Sequence, residues 1–312
     1  MKKGVLCIVL SALGFALMAA CVRLCDDYGG PVSSFQKSFF RNIVALAIAA
    51  IVYVEEWKGG NVEKCERGRL LQPKAPIQPM APQAPLLPPT APLQPRLKSW
   101  FLLVLRSALG TIGIFGNFYA LSHITIAESQ TLNKTAPFFT VVFAWIFLKE
   151  RVGGRAMGSL LLAFGGVLLI AKPGFAGEAA FPLAMGLLGG VCAGAAYTAL
   201  HALAKSTLPS AFIILFFSAF SCLASVPFMV HSFDPMTLAQ VLALLGAGAG
   251  AALGQFGVTL AYRFAAPREI AVFDYSNIIF TAVFGLLLFG QVPDAFSIAG
   301  FILILFAAWR MR

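Results

Sequence analysis

Charge is scarce in this chain: Asp, Glu, Lys and Arg make up 12% of its 312 residues, against 59% apolar residues and a mean hydropathy of +0.84. A soluble globular domain carries about a quarter charged residues, so that class is excluded. Disorder is excluded for most of the length, because 29 Phe and long aliphatic runs supply abundant material for burial. Histidine is sparse too. His123, His201 and His231 lie far apart, and Cys7, Cys21, Cys25, Cys65, Cys192 and Cys222 show no metal-ligand spacing. Cys21 and Cys25, one helical turn apart, read as shared packing rather than a redox pair. No P-loop pattern is present, so direct drive by ATP is not expected. No nucleophile with a partnered base, paired acid or metal cluster occurs, which leaves no catalytic residue, metal or cofactor to assign.

The net charge of +10 resembles a nucleic-acid signal until the basic residues are located. They sit mostly in short gaps between apolar runs, where membrane proteins keep cytoplasmic Lys and Arg. A lipid bilayer is therefore the expected surrounding, and nucleic acid is not an expected partner. Continuous apolar stretches fall near 4–24, 33–54, 100–121, 127–148, 156–171, 181–203, 211–230, 238–262, 269–290 and 296–311. A hydrocarbon core about 30 Å thick needs roughly 20 helical residues per crossing, so the sequence predicts an all-α integral membrane protein with ten transmembrane helices. Lys2-Lys3 followed by an apolar run and Met18-Ala19-Ala20-Cys21 also resembles a lipoprotein signal, but the run continues to Arg23 without a polar start. Counting Lys and Arg on alternate sides gives 17 against 2, which predicts that both termini are cytoplasmic, in the cytoplasmic membrane.

Shifting the sequence by 141 positions reveals a repeat. Gly113, Phe115, Gly116, Ala120, Glu128, Phe139, Thr140, Val142 and Phe143 fall on Gly254, Phe256, Gly257, Ala261, Glu269, Phe280, Thr281, Val283 and Phe284. Five spans separate the copies, an odd number, so they insert with opposite orientation. The expected organisation is two inverted five-helix repeats, 1–174 and 175–312, an architecture that carriers use for alternating access. Gly186, Gly190 and Gly194, and likewise Gly246, Gly250 and Gly254, recur every four residues and read as packing seams. Residues 61–97 break the pattern, holding nine of the 18 prolines with Pro73 to Pro88 spaced by three. A semi-rigid polyproline linker on the cytoplasmic side is the plain reading, and a docking site for a proline-binding partner is the sharper one.

The residues also carry a family likeness. Leu105-Arg106-Ser107-Ala108-Leu109-Gly110, then Phe118-Tyr119-Ala120-Leu121, Ala127-Glu128, Ala136-Pro137-Phe138-Phe139 and Phe147-Leu148-Lys149-Glu150-Arg151 resemble an EamA-type half of the drug/metabolite transporter superfamily. The resemblance covers 4–172 and 181–311 and is weaker in the second half, where Gln291 stands in place of Glu150. It implies a ten-helix carrier with a central cavity lined by spans one to four and six to nine. The superfamily carries amino acids, nucleotide sugars, cofactors and drugs, so membership names no substrate. The proline-rich insertion departs from the family's short loop. Small proton-coupled exporters of the superfamily use a glutamate in the first helix. Gly4 to Leu24 contains no Asp or Glu, so that mechanism is not expected here.

An ionisable side chain at a helix centre costs about 2.5–3.5 kcal/mol on insertion scales, which singles out Arg41, Arg106, Lys134 and Asp274. By helical rise, Arg41 and Lys134 share outer depth, while Arg106 and Asp274 share inner depth. Arg106 and Asp274 are expected to form an ion pair or inner gate. Arg41 and Lys134 either meet loop carboxylates such as Asp26, Asp27 and Glu128 or line a cationic cavity. Pro137 lacks an amide hydrogen and so frees the carbonyl of Asn133 beside Lys134. Gln130, Asn133, Pro137 and Thr140 share one face of span four, and Asp274, Asn277 and Thr281 the matching face of span nine. Asn117 and Tyr197 complete the expected substrate-binding set of Arg41, Asn117, Gln130, Asn133, Lys134, Tyr197 and Asn277, with Arg106 and Asp274 in gating or coupling. The expectation is a secondary carrier for a small zwitterionic or anionic metabolite. Its alternatives are a membrane scaffold or receptor using the proline-rich loop and, more remotely, a membrane enzyme.

Overall fold

The computed structural model describes residues 2–30, 32–70, 97–123, 129, 132–171, 180–206, 208–290 and 292–310. Among the described residues every regular element is helical: α1 (Lys2–Asp27), α2 (Ser34–Leu70), α3 (Leu97–His123), α4 (Ala136–Leu148), α5 (Gly154–Ala171), α6 (Ala180–Ala204), α7 (Ser210–His231), α8 (Leu238–Phe264), α9 (Pro267–Asp274), α10 (Ser276–Phe289) and α11 (Ala295–Arg310). Seven segments are long and apolar enough to cross a membrane, with α9 and α10 counted as one. Shorter apolar helices cover 136–148, 154–170 and 295–310. Large apolar side chains such as Leu6, Ile51, Phe147, Leu223, Leu287 and Trp309 are more than half exposed on the outside. In water such a surface would be unstable; facing lipid tails it is the expected exterior.

Local chemistry sets the helix ends. Thr237 and Gln240 form a capping box that opens α8: Gln240 N donates to Thr237 Oγ1 at 3.3 Å and Thr237 N donates to Gln240 Oε1 at 2.9 Å. Pro267 opens α9, where its missing amide hydrogen costs nothing. Gly290 ends α10 at φ 65°, a left-handed conformation that glycine adopts without a Cβ penalty. One boundary differs from expectation. Helix α2 continues to Leu70, so residues 61–70 are helix rather than linker. No proline occurs there before Pro73, so nothing in that stretch stops propagation. The proline-spaced segment itself, residues 71–96, lies outside the described residues.

The most extensive helix pairs are α1 with α8, α3 with α6, α2 with α7 and α5 with α11, joined by α4–α6, α2–α8, α1–α10 and α3–α7. Glycine makes the first two pairs possible. A Cβ on Gly14 of α1 would lie 2.6 Å from the backbone nitrogen of Gly254, and one on Gly116 of α3 would lie 2.6 Å from the carbonyl oxygen of Met185. Two helices of ordinary residues could not approach this closely. The expected glycine seams are therefore seams: Gly190 and Gly194 of α6 abut Leu132 and Phe139, and Gly250 and Gly254 of α8 abut α1.

Arg151, Arg155, Lys205, Arg263, Arg268 and Arg310 gather where α1 begins and α11 ends, which defines a basic end of the bundle. Arg155 Nε donates to the Arg310 carbonyl at 2.7 Å, and Arg268 Nη1 to the Arg151 carbonyl at 2.6 Å, tying the helix ends together there. The largest buried cluster lies just inside it. Ile8, Leu103, Leu200, Leu203, Ile213, Val258 and Ile270 come from α1, α3, α6, α7, α8 and α9, all within about two turns of the basic end.

Candidate functional site

Two of the apolar spans are interrupted, and at matching places. Before α4 the helix gives way to a turn at Lys134 and Thr135, where Thr135 N donates to the Leu132 carbonyl at 3.1 Å. Between α9 and α10 it tightens at Tyr275, whose N donates to the Val272 carbonyl at 3.3 Å, and Ile278 N to the Tyr275 carbonyl at 3.0 Å. These are bonds to the third residue back, not the fourth. The 141-residue shift places Lys134 on Tyr275 and Asn133 on Asp274. Each break thus delivers a polar or charged side chain to the bundle centre, Lys134 from one and Asp274 from the other. Pro137 accounts for the first break as expected. The second has no proline, and Ser276 Oγ donates to the Phe273 carbonyl at 2.7 Å across it.

Lys134 and Asp274 line a central cavity beneath the glycine seams. Its other polar walls are Arg41 of α2, Arg106 and Asn117 of α3, Asn133, Tyr197 of α6 and Gln255 of α8. Phe15 and Met18 of α1, with Phe217 of α7, supply apolar wall, so the lining comes from spans one to four and six to nine. The cavity has a volume of about 120 Å³, room for a small solute.

The cavity's charges are arranged differently from the expected pairs. Arg106 does not form an ion pair with Asp274. Its Nη2 donates to Gln255 Oε1 at 2.8 Å, and its guanidinium carbon stands 3.7 Å from the centre of the Phe217 ring. A delocalised cation stacks well on a ring face, and the neighbouring Gly110 leaves room, since a Cβ there would lie 2.8 Å from Phe217. Arg106 is thereby fixed but not neutralised. Arg41 is 6% exposed, its Nε is buried without a hydrogen-bond partner, and its charge repels that of Arg106. Lys134 and Asp274 attract each other without closing to a 4 Å ion pair among the described residues. Tyr197 lies within electrostatic reach of Arg41, Arg106 and Asp274. Asp26 serves Lys37, at 2.7 Å, and not Arg41. Glu128 and Gln130 lie outside the described residues.

Asn277 does not line the cavity. It is buried and donates through Nδ2 to the Ala12 carbonyl at 2.9 Å, tying α10 to α1. Asn117 does line it, and its carbonyl and side-chain oxygens each lie 3.4 Å from the Ser129 hydroxyl. Gln255 and Phe217, which hold Arg106, were not expected from sequence. A lone Gln in the Gly/Ala/Leu run of α8 was a usable signal for the first, whereas a Phe in an apolar span carries none.

Below the cavity, at the basic end, a polar tie crosses three helices. His201 Nε2 of α6 lies 2.8 Å from Glu150 Oε1, just past α4, and His201 Nδ1 lies 3.1 Å from the Tyr262 carbonyl of α8. This tie and the buried cluster around Leu200 and Ile270 lie between the cavity and the basic end.

The model of the EamA-like transporter family matches residues 80–172. The pseudopaline exporter CntI of Pseudomonas aeruginosa is 33% identical over 207 residues, 66% of this chain and 72% of that protein. An uncharacterized transporter of Helicobacter pylori is 26% identical over 313 residues, 97% of this chain and 92% of its own. A solved crystal structure superposes with a TM-score of 0.76 over 99% of this chain and 96% of that one, at 15% identity, a likeness of fold alone.

Proposed function

Because the chain belongs to the EamA-like transporter family, a family of multi-pass membrane transporters, we propose that it is a secondary carrier moving a small zwitterionic or anionic metabolite across the cytoplasmic membrane by alternating access. Family membership and the transporter relatives point to transport rather than catalysis. The observation that carries the reading is the central cavity, which gathers Arg41, Arg106, Lys134 and Asp274 in a partly apolar wall; in this reading the cluster and the His201 tie below it seal the basic end. Solute enters this state from the far end, and rocking of the halves exposes it at the basic end. By the excess of Lys and Arg, the basic end faces the cytoplasm and both termini lie there.

The carrier is read as ten spans in two inverted halves, 1–174 and 175–312, with the short helices α4, α5 and α11 completing the count. Packing supports this reading. Exchanging each span for the one five later turns α1–α8 into α6–α3, α2–α8 into α7–α3 and α4–α6 into α10–α1, while α2–α7 and α5–α11 map onto themselves. The repeat-matched glycines do matching work: Gly113 and Gly116 press α3 on α6, as Gly254 and Gly257 press α8 on α1.

Substrate binding is assigned to Arg41, Asn117, Asn133, Lys134 and Tyr197, and gating or coupling to Arg106 and Asp274, which face the same cavity. The test is exchange in proteoliposomes. Vesicles holding the protein are loaded with an isotopically labelled metabolite extract, and efflux into unlabelled extract is followed by mass spectrometry. A carrier releases a small subset of compounds saturably. Release no faster than from empty liposomes refutes the reading.

A further inference from the structure

The charges lining the cavity form a pattern more specific than net positive. On the side of α2 and α3 stand two arginines. Arg106 is locked by Gln255 and Phe217, with its Nε buried and unpartnered, and Arg41 is 94% buried with its Nε also unpartnered. Neither guanidinium has a carboxylate within 4 Å among the described residues. At the helix breaks, by contrast, stand one cation and one anion, Lys134 and Asp274, drawn to each other but not in contact. Tyr197 is in electrostatic reach of both arginines and of Asp274.

An ammonium group and a carboxylate on one carbon complement a separated lysine and aspartate, carboxylate toward Lys134 and ammonium toward Asp274. Two like-charged guanidinium groups complement one further carboxylate, because each planar fork donates to its oxygens and the anion relieves their repulsion. A cavity of about 120 Å³ admits a small solute carrying these three groups. Resting on the carrier reading above, we infer that Arg41 and Arg106 form a carboxylate subsite, that Lys134 and Asp274 hold an amino-acid head group, and that the transported solute is an acidic amino acid or a compact derivative of one. Gln255 and Phe217 are positioning residues: they keep Arg106 aimed at the cavity instead of at Asp274.

The experiment uses the full-length protein in detergent and reads apparent affinity from thermal stabilisation across concentration series of four probes. L-Glutamate and L-aspartate carry all three groups, L-glutamine lacks the second carboxylate, and glutarate lacks the amine. Glutamate or aspartate should bind at least tenfold more tightly than glutamine and than glutarate, the scale of a charge-assisted hydrogen bond. Arg41→Gln should bring the glutamate-to-glutamine affinity ratio within about threefold of unity, and Asp274→Asn should do the same to the glutamate-to-glutarate ratio. Arg41→Lys, which keeps the charge but loses the fork, should fall between and serves if the Gln variant does not fold. Equal binding of glutamate and glutamine by the unmodified protein, ratios unmoved in the variants, or no stabilisation by any probe would each overturn the inference. Saturable release of some other solute from the proteoliposomes would then leave the carrier reading standing by itself.

Discussion

Removing the His201 tie should unseal the basic end of the bundle. The imidazole links Glu150 at 2.8 Å and the Tyr262 carbonyl at 3.1 Å, so one side chain joins the ends of α4, α6 and α8. Lys205 also approaches Glu150, but at 3.9 Å and with its side chain 68% exposed it contributes little. A bond to a charged partner contributes about 1.5–3 kcal/mol and a neutral one about 0.5–1.5, so His201→Ala withdraws about 2–4 kcal/mol from the sealed state. That raises the share of the bundle open at the basic end roughly 30-fold or more. Glu150→Gln retains a neutral bond and should raise it only about fivefold, from a loss of about 1 kcal/mol. The assay places a single cysteine at Ala196, which lines the cavity, in a background with its native cysteines replaced. A membrane-impermeant maleimide is then applied to right-side-out and inside-out vesicles. Labelling from the basic side should accelerate in the order wild type, Glu150→Gln, His201→Ala. If both folded variants label from that side within twofold of the wild type, the tie is not part of the seal.

Other expectations follow from packing. Gly254→Ala should destabilise the detergent-solubilised protein by about 1–3 kcal/mol, since its Cβ would lie 2.6 Å from the Phe15 ring, whereas Gly165→Ala, with nothing within 4 Å, should stay within about 0.5 kcal/mol; thermal melts compare them. Asn277→Ala removes the bond to the Ala12 carbonyl and should cost about 0.6–1.7 kcal/mol in the same melts. Replacing residues 73–95 by a short Gly/Ser linker should leave yield and proteoliposome exchange near normal; lost exchange in a folded protein would assign the segment a docking role. Reporter fusions at either terminus should report the cytoplasm, and an external signal would refute the assigned orientation.

Much of the fold was legible because a bilayer leaves few options. Apolar runs must become helices there, and Gly113, Gly116, Gly254 and Gly257 announce the close pairs by sharing a spacing across the repeat. The candidate site was legible as a set of cavity-lining residues and not as a set of contacts. Arg41, Arg106, Lys134 and Asp274 stand out in any apolar span, and all four line the cavity. Depth along a helix, however, says nothing of azimuth. Arg106 shares its expected depth with Asp274 yet points to Phe217 of α7, on which α3 packs, and to the Gln255 side chain reaching in from α8. Asn277 shows the converse: it lies on the face expected by spacing, and its side chain is engaged by the Ala12 carbonyl because α10 packs on α1.

On the proposed two-repeat reading, the halves would agree in geometry and disagree in charge, and that disagreement supports the site assignment. The breaks at Lys134 and Tyr275 fall at positions related by the same 141-residue shift as the glycine seams, as the proposed repeat would place them. It does not account for the side chains. Lys134 is matched by Tyr275, fully buried with its hydroxyl unpartnered, and Asp274 is matched by Asn133. Arg106 of α3 falls on Ala247 of α8, while Gln255, which holds Arg106, falls on Ile114. Each charged group costs a few kcal/mol to place in the membrane, and a neutral counterpart at the equivalent place in the other half shows that the helices pack without it. Charges that packing does not demand, gathered on one cavity, are best explained by what the cavity binds.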